Sequence, residues 1–271
     1  ELREYERFST ACANAYIRKP IADYLARLRA ALAVRGFRCP LLLVLSNGGL
    51  TTLETAIRLP IRLVESGPAG GAVFAAHVAG ECGEDEVLGF DMGGTTAKVC
   101  LIDHARAQTS RSFEVARRYR FLKGSGLPLR VPVIELVEIG AGGGSIARID
   151  SLGRIAVGPD SASSVPGPVC YARGGTEPTV TDADMVMGRI DPKAFAAGKV
   201  PLHPAAANRV IAAKIGQPLG LAARPAAAGI AEIVGENMAG AARVHCIESG
   251  RDVARRTLLA FGGAAPLHAA R

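Results

Sequence analysis

Glu86-Val87-Leu88-Gly89-Phe90-Asp91-Met92-Gly93-Gly94-Thr95-Thr96-Ala97-Lys98-Val99-Cys100-Leu101-Ile102 decides the reading of this chain. Two apolar runs with β-branched and aromatic residues flank Asp91-Met92-Gly93-Gly94-Thr95-Thr96, a pattern of strand, tight glycine turn, strand. Adjacent glycines let the backbone turn sharply and leave amide N–H groups uncovered by any Cβ, while Thr95 and Thr96 add hydroxyls. A bend of this kind can hold a phosphate. Asp91, just before it, can accept from waters bound to Mg2+, a cation that keeps much of its hydration shell and prefers carboxylate oxygen. A hairpin whose glycines merely satisfy turn geometry would look the same in isolation, so the flanking sequence has to decide.

Upstream, Ile21, Tyr24, Leu25, Leu28 and Leu32 share one helical face, predicting a helix from Pro20 to Gly36. Pro40–Leu45 reads as a short strand covered on both faces, ending in the turn Ser46-Asn47-Gly48-Gly49. Thr51-Thr52-Leu53-Glu54 gives a capping pattern for a short helix, and Ile61–Val64 reads as another strand, together suggesting parallel pairing. Glu65-Ser66-Gly67-Pro68-Ala69-Gly70-Gly71 then runs into a helix of very small residues, a composition that allows close backbone approach.

Downstream, Leu127–Ile139 is strand-rich, and it leads into Glu138-Ile139-Gly140-Ala141-Gly142-Gly143-Gly144-Ser145. The third glycine of a dinucleotide fingerprint is replaced by Ser145, and a hairpin pattern over Ile146–Val157 follows instead of a helix, so the run reads as a loop between strands. Walker, zincin and nucleophile-elbow sequences are absent. Gly158–Thr181 is a long unpatterned loop in which Cys170, Tyr171 and Arg173 argue for order. Helical patterns return over Asp182–Gly188, Pro204–Ile215 and Pro225–Ile247. The strand Thr257–Phe261 then breaks into Gly262-Gly263-Ala264-Ala265-Pro266, where a helix start can set backbone amides against a ring or a phosphate.

Composition bounds the rest. The 271 residues suffice for one large or two modest domains, with 49% hydrophobic and 21% charged residues. No apolar run approaches the roughly 18 residues of a membrane span. The charged opening Glu1-Leu2-Arg3-Glu4 has no signal-peptide core, which points to a cytoplasmic protein cut from something longer. Six scattered cysteines (Cys12, Cys39, Cys82, Cys100, Cys170, Cys246) read as free buried thiols rather than a metal site. The net charge of +7 is densest at Arg117, Arg118, Arg120, Lys123 and Arg130. Without interleaved aromatics this is a solvated or anion-attracting face rather than a nucleic-acid surface.

The order of Ser46–Gly49, Glu65–Gly71, Phe90–Thr96, Leu127–Pro132, Glu138–Ser145, Pro166–Pro168, Arg173–Thr176 and Phe261–Gly263 resembles the hydantoinase A/5-oxoprolinase family from the first residues to the last. The resemblance implies an α/β actin-like ATPase fold, a mixed ribonuclease-H-like sheet flanked by helices. It assigns 1–80 to the end of a first lobe and its connecting helix, and 81–271 to a second lobe. It implies ATP and Mg2+ as cofactors and ATP-dependent opening of a cyclic amide such as a hydantoin or 5-oxoproline. In relatives it implies ATP-driven ketone carboxylation.

By the same resemblance Asp91, Gly93, Gly94, Thr95 and Thr96 match the second phosphate loop, with Asp91 toward the metal and Asp91 and Thr95 as catalytic residues. Gly262, Gly263 and Ala264 match the adenosine loop. Ala265 stands where the family usually has glycine, and its methyl would narrow the base pocket. The first phosphate loop of the family has no counterpart before Asp91, so the chain reads as a middle fragment, inactive alone, with a hydantoinase B-type subunit as a partner. The strands at Leu41–Leu45 and Ile61–Val64 would then pair within the chain, pair with another copy or be poorly ordered, so self-association is expected. An ATP-gated switch driving a partner enzyme and a basic nucleic-acid-binding protein are the competing classes.

Overall fold

Glu86–Met92 and Ala97–Asp103 form the two strands read from the sequence, closed where the Gly93 N–H donates to the Thr96 carbonyl at 3.0 Å. The computed structural model describes residues 4–116, 118 and 124–270. In chain order its elements begin with α1 (Glu4–Val34), β1 (Leu42–Val44), β2 (Leu50–Thr52), α2 (Leu53–Arg58) and α3 (Ser66–Cys82). The central strands follow: β3 (Glu86–Met92), β4 (Ala97–Asp103), β5 (Arg106–Ala107), β6 (Thr109–Ser110), β7 (Phe113–Val115), β8 (Leu127–Leu129), β9 (Val133–Ile134) and β10 (Val137–Ile139). Next come β11 (Ser145–Ile149), β12 (Ile155–Ser161), α4 (Val180–Val186), α5 (Pro204–Ile211), α6 (Gln217–Leu219), α7 (Ala223–Glu248), β13 (Thr257–Phe261) and α8 (Ala265–His268). The architecture is α/β. The chain divides into two compact units, one of residues 1–86 with 100–135, the other of 87–99 with 136–271.

In the first unit α1 starts at Glu4, well before the expected Pro20, and carries that proline inside it. An internal proline removes a hydrogen bond and costs about 3 kcal/mol. The helix continues because one face stays on apolar partners on both sides of it: Ala13 and Ile17 pack on Ile61, Leu129, Val131 and Val133, while Ile21, Leu25 and Leu28 pack with Leu53 and Ala56. It ends before Gly36, whose φ is +83°.

Two strand expectations change here. β1 is not a doubly covered parallel strand: it pairs antiparallel with β2, Leu42 opposite Thr52, and Leu42 is half exposed. Ile61–Val64 is not a strand, because Pro60 fixes φ and lacks an N–H, opening a 3-10 turn over Pro60–Leu63 that buries Ile61. Both segments therefore find their partners within the chain, and the ground on which the sequence suggested self-association falls away. The Thr52 side chain caps α2 by accepting from the Thr55 N–H. α3 forms as expected and runs on to Cys82, burying Ala69, Ala72, Ala75, Ala76 and Ala79.

Arg130 donates from Nε to Glu6 Oε2 at 2.6 Å, while Arg117, Arg120 and Lys123 lie outside the described residues. Among the described residues no helix is long and apolar enough to cross a membrane.

The second unit is built on a sheet of order β10-β4-β3-β13 in which β13 runs parallel to β3 and β10 antiparallel to β4. The expected hairpin after the glycine run is β11–β12. Helices α4, α5 and α7 pack together beside it, with Val180, Ala183, Ile211, Ala226, Ala227, Ile230 and Val234 fully buried. The unpatterned 158–181 segment resolves into the end of β12, a 3-10 turn over Val169–Tyr171 and the first residues of α4. Fully buried Asp182 ties it down, accepting from the N–H groups of Val169 (3.1 Å), Cys170 (2.7 Å) and Thr179 (3.0 Å) and from the Thr179 hydroxyl (2.8 Å).

Candidate functional site

The bend after β3 is held by three neighbouring segments of the second unit. Along β13, Phe261 lies opposite Asp91, and the chain leaves that strand through Gly262 at φ +88°. A Cβ on Gly262 would run into Asp91 Oδ1 and stand 2.9 Å from the Met92 carbonyl oxygen, and with the positive φ this main-chain contact calls for glycine there. The Ala264 N–H then donates to the Met92 carbonyl at 2.9 Å, fixing the 262–264 loop to the end of β3. Burial pushes the Asp91 carboxyl above its usual range, and the charge of Lys98 opposes this.

The glycine run at 140–144 is the second clamp. Gly143 and Gly144 donate to the carbonyls of Gly93 (3.0 Å) and Gly94 (2.6 Å), and the Thr181 hydroxyl and N–H both donate back to the Gly143 carbonyl. This backbone-on-backbone contact leaves no room for a side chain: a Cβ on Gly142 would stand 2.6 Å from the Thr95 carbonyl carbon.

The third segment is α4. Buried Asp184 accepts from Arg189 Nη1 at 2.9 Å on one oxygen, and its other oxygen lies 3.1 Å from Nε2 of buried His268. The contact joins α4 to α8, the short helix that follows the 262–264 loop.

These segments enclose an open cavity of about 430 Å³ lined by Gly93, Gly94, Gly143, Thr181, Asp184, Arg189, Gly263 and Ala264. The rest of the lining is a largely apolar wall of Tyr171, Ile190, Ala194, Phe195 and Leu267 with the carboxylate of Asp191 among them, the Tyr171 and Phe195 rings standing 5.6 Å apart. Of the residues singled out in the sequence, Gly93, Gly94, Gly263 and Ala264 meet in this cavity. Asp91, Thr95, Thr96 and Gly262 stand beside it without lining it. Ala265 is buried and does not line the cavity, so its methyl does not narrow that space.

Residues 7–271 match the hydantoinase/oxoprolinase family. The chain belongs to that family. It is 38% identical over 271 residues to an uncharacterized protein of Methanocaldococcus jannaschii, covering 99% of this chain and 40% of that protein. It is likewise 38% identical to the caprolactamase subunit alpha of Pseudomonas jessenii, over all of this chain and 38% of that one. The solved structure of that ATP-dependent caprolactamase superposes with a TM-score of 0.78 at 36% identity, over 100% of this chain and 38% of that chain. An acetone carboxylase, solved free of nucleotide in a study of ATP-dependent acetone carboxylation, superposes with a TM-score of 0.85 at 28% identity, over 99% of this chain and 36% of that one. The chain thus spans about two fifths of the length of these family members.

Several residues in or beside this cavity carry no motif in the sequence. Gly142–Gly144 were visible as a glycine run, but only the tertiary contact shows that they clamp the bend. Thr181, Arg189, Phe195 and Lys98 carried no signal beyond their residue type, and Asp184 stood out only as a position where the family usually has asparagine. Cys12, Cys39 and Cys82 are exposed, against the expectation of buried thiols, whereas Cys100, Cys170 and Cys246 are buried. Burial and the Asp182 carboxylate push the Cys170 thiol far up. Iodoacetamide on the native chain at pH 8 should therefore modify Cys12, Cys39 and Cys82 and spare the other three until denaturant is added; labelling of Cys170 at the rate of Cys12 in peptide mass maps would contradict this packing.

Proposed function

We propose that this chain supplies the second phosphate loop and the adenosine loop of an ATP-dependent enzyme that opens a cyclic amide of the hydantoin, oxoproline or lactam type. One observation carries the reading. Gly93-Gly94 and Gly263-Ala264, about 170 residues apart in sequence, line one cavity, and a Cβ on Gly94 or Gly263 would meet nothing within 4 Å. Glycine at 142, 143, 144 and 262 is explained by close packing. At 94 and 263 it is not, and its effect is to leave main-chain amides bare toward open space, the arrangement a polyphosphate needs.

In this reading the amides of the 93–95 bend bind phosphate oxygens and the 262–264 loop carries the adenosine, with Tyr171 and Phe195 supplying an apolar wall. Among the described residues no group of three His, Cys, Asp or Glu side chains could hold a metal alone. Mg2+ would accordingly arrive with the phosphates, with Asp91 accepting from its waters. ATP, when bound, would supply a phosphoryl group to the amide oxygen, which makes the ring carbon electrophilic enough for water to add and for the C–N bond to break, the ring nitrogen leaving as an amine. Thr95, exposed at the tip of the bend, is placed to donate to phosphate oxygens. We assign residues 81–271 to the second actin-like lobe and 1–80 to the end of the first, in a cytoplasmic parent that works with a hydantoinase B-type subunit. The match to acetone carboxylase favours ATP-dependent ketone carboxylation as the second reading.

The test is calorimetry of the 271-residue chain with Mg-ATP. Weak binding with negligible turnover is expected, since one set of loops meets the charge from one side only. Gly263→Val should weaken binding about tenfold or more while the chain stays folded, because an added Cβ there meets nothing within 4 Å and the residue lines the cavity. Wild-type-like affinity in a folded Gly263→Val chain would remove the adenosine-loop assignment. With the full-length parent, a panel of hydantoins, oxoproline, lactams and ketones separates the two readings.

A further inference from the structure

Three charged side chains lie in one row across the sheet beside the bend. The Gly93 N–H to Thr96 carbonyl bond and the His104 N–H to Asp85 carbonyl bond, one at each end of the β3–β4 hairpin, share one register, and that register sets Lys98 across from Asp91. On the other side of β4, Lys98 lies opposite Glu138 of β10. Laterally adjacent residues of a sheet project to the same face, so Asp91, Lys98 and Glu138 form a carboxylate, ammonium, carboxylate row.

We propose that Lys98 is the residue of this site that reads the terminal phosphate of a bound nucleoside triphosphate. The inference rests on the nucleotide reading above and goes past it by naming the cation and its selectivity. The Lys98 ammonium donates to Thr96 Oγ1 at 2.9 Å and lies 3.4 Å from Glu138 Oε1. An ammonium has three donors, and these two contacts leave one without a hydrogen-bond partner among the described residues. The contact with Thr96 also sets the direction of that hydroxyl. An oxygen that accepts from an ammonium turns its own hydrogen elsewhere, so Thr96 is left as a donor at the mouth of the bend.

A purely structural cross-strand ion pair would look different. Exposed pairs of that kind add little stability and are carried by mobile side chains, whereas the Lys98 side chain is 14% exposed against 54% for Glu138. The lysine is the anchored partner. Its head is held at Thr96 beside the bend, whose own donors are neutral, while the cation that lines the cavity, Arg189, is already paired with Asp184. A nucleoside triphosphate differs from the diphosphate by one charged group, and a fixed ammonium is the element of this site that senses the difference as charge.

The test compares Mg-ATP and Mg-ADP on the whole chain. In Lys98→Met, ATP affinity should fall about tenfold or more while ADP affinity changes less than about twofold, with Lys98→Arg retaining most of the preference. Acetylation of lysines in the wild-type chain, read by peptide mass maps, gives an independent measure that needs no variant to fold: Mg-ATP should protect Lys98 and Mg-ADP should not. An unchanged ATP-to-ADP ratio in folded Lys98→Met, or equal protection by both nucleotides, overturns the role of Lys98 and leaves the nucleotide site standing. Absence of binding and of protection with any nucleotide in the wild-type chain overturns the site itself, and this inference with it.

Discussion

Gly142→Ala is expected to lower nucleotide affinity about a hundredfold and to destabilise the second unit by about 2–5 kcal/mol. The added Cβ would stand 2.6 Å from the Thr95 carbonyl carbon and 2.7 Å from both the Gly94 carbonyl carbon and the Thr95 nitrogen. All three are main-chain atoms, so no rotamer change relieves the clash and the two loops must part. Parting them lengthens the bonds from Gly143 to Gly93 and from Gly144 to Gly94, and Gly142–Gly144 are buried away from replacement water. The loss of affinity follows from geometry: donors fixed toward a phosphate lose most of their value when they shift by about an ångström. Gly94→Ala is the control, because its Cβ meets nothing and the fold should stand. Urea denaturation and calorimetry on both variants check the pair; a Gly142→Ala chain with wild-type midpoint and wild-type affinity would show that the glycine run does not clamp the bend.

Asp182→Ala is expected to lower stability by about 4 kcal/mol or more, out of a total that for ordinary domains is roughly 5–15 kcal/mol. The carboxylate is fully buried, and it serves three backbone N–H groups and one hydroxyl drawn from the 169–171 turn and the start of α4. Truncation removes the capping box of α4, worth about 1 kcal/mol, and leaves the Val169, Cys170 and Thr179 donors unsatisfied at about 1–3 kcal/mol each. Tyr171 closes that turn and lines the cavity, so the local release should also open the apolar wall. Limited proteolysis should then cut within 162–180 faster than in the wild type. Asp182→Asn, which keeps one acceptor oxygen and sets an NH2 against the remaining donors, should fall between the two. A denaturation midpoint for Asp182→Ala within about 1 kcal/mol of wild type would mean that the 158–181 segment is held by something else.

The misreadings in the first unit share one cause. A helix is expected to begin at a proline, and Pro20 is such a signal, yet α1 passes through it because apolar residues on both sides of the proline have somewhere to pack. Ile61–Val64 has strand composition, but Pro60 and the apolar cluster of Leu129, Val131 and Val133 make a 3-10 turn the better way to bury Ile61. Leu42–Val44 has the composition of a central strand and serves as half of a two-stranded hairpin. Composition within a window of four to six residues does not say which surface will be offered to it, and for Ile61 that surface is made by residues more than sixty positions away.

The sequence by itself determined the elements whose chemistry is local. Gly93-Gly94 between two apolar runs made the hairpin, three glycines before an alternating pattern made the loop into β11, and Gly262-Gly263 after Thr257–Phe261 made the break before α8. Turn geometry and strand alternation are decided within a few residues, so they can be read in one dimension. Only the tertiary structure decided that the glycines at 93–94, 142–144 and 262–263 come together, that Gly142 and Gly262 are required by contact with main chain while Gly94 and Gly263 face open space, and that Lys98 stands between Asp91 and Glu138. Those facts depend on strand order and register. They arise when β13 pairs parallel to β3, and β10 antiparallel to β4, across gaps of about 170 and 40 residues, and no local pattern encodes which strands will be neighbours.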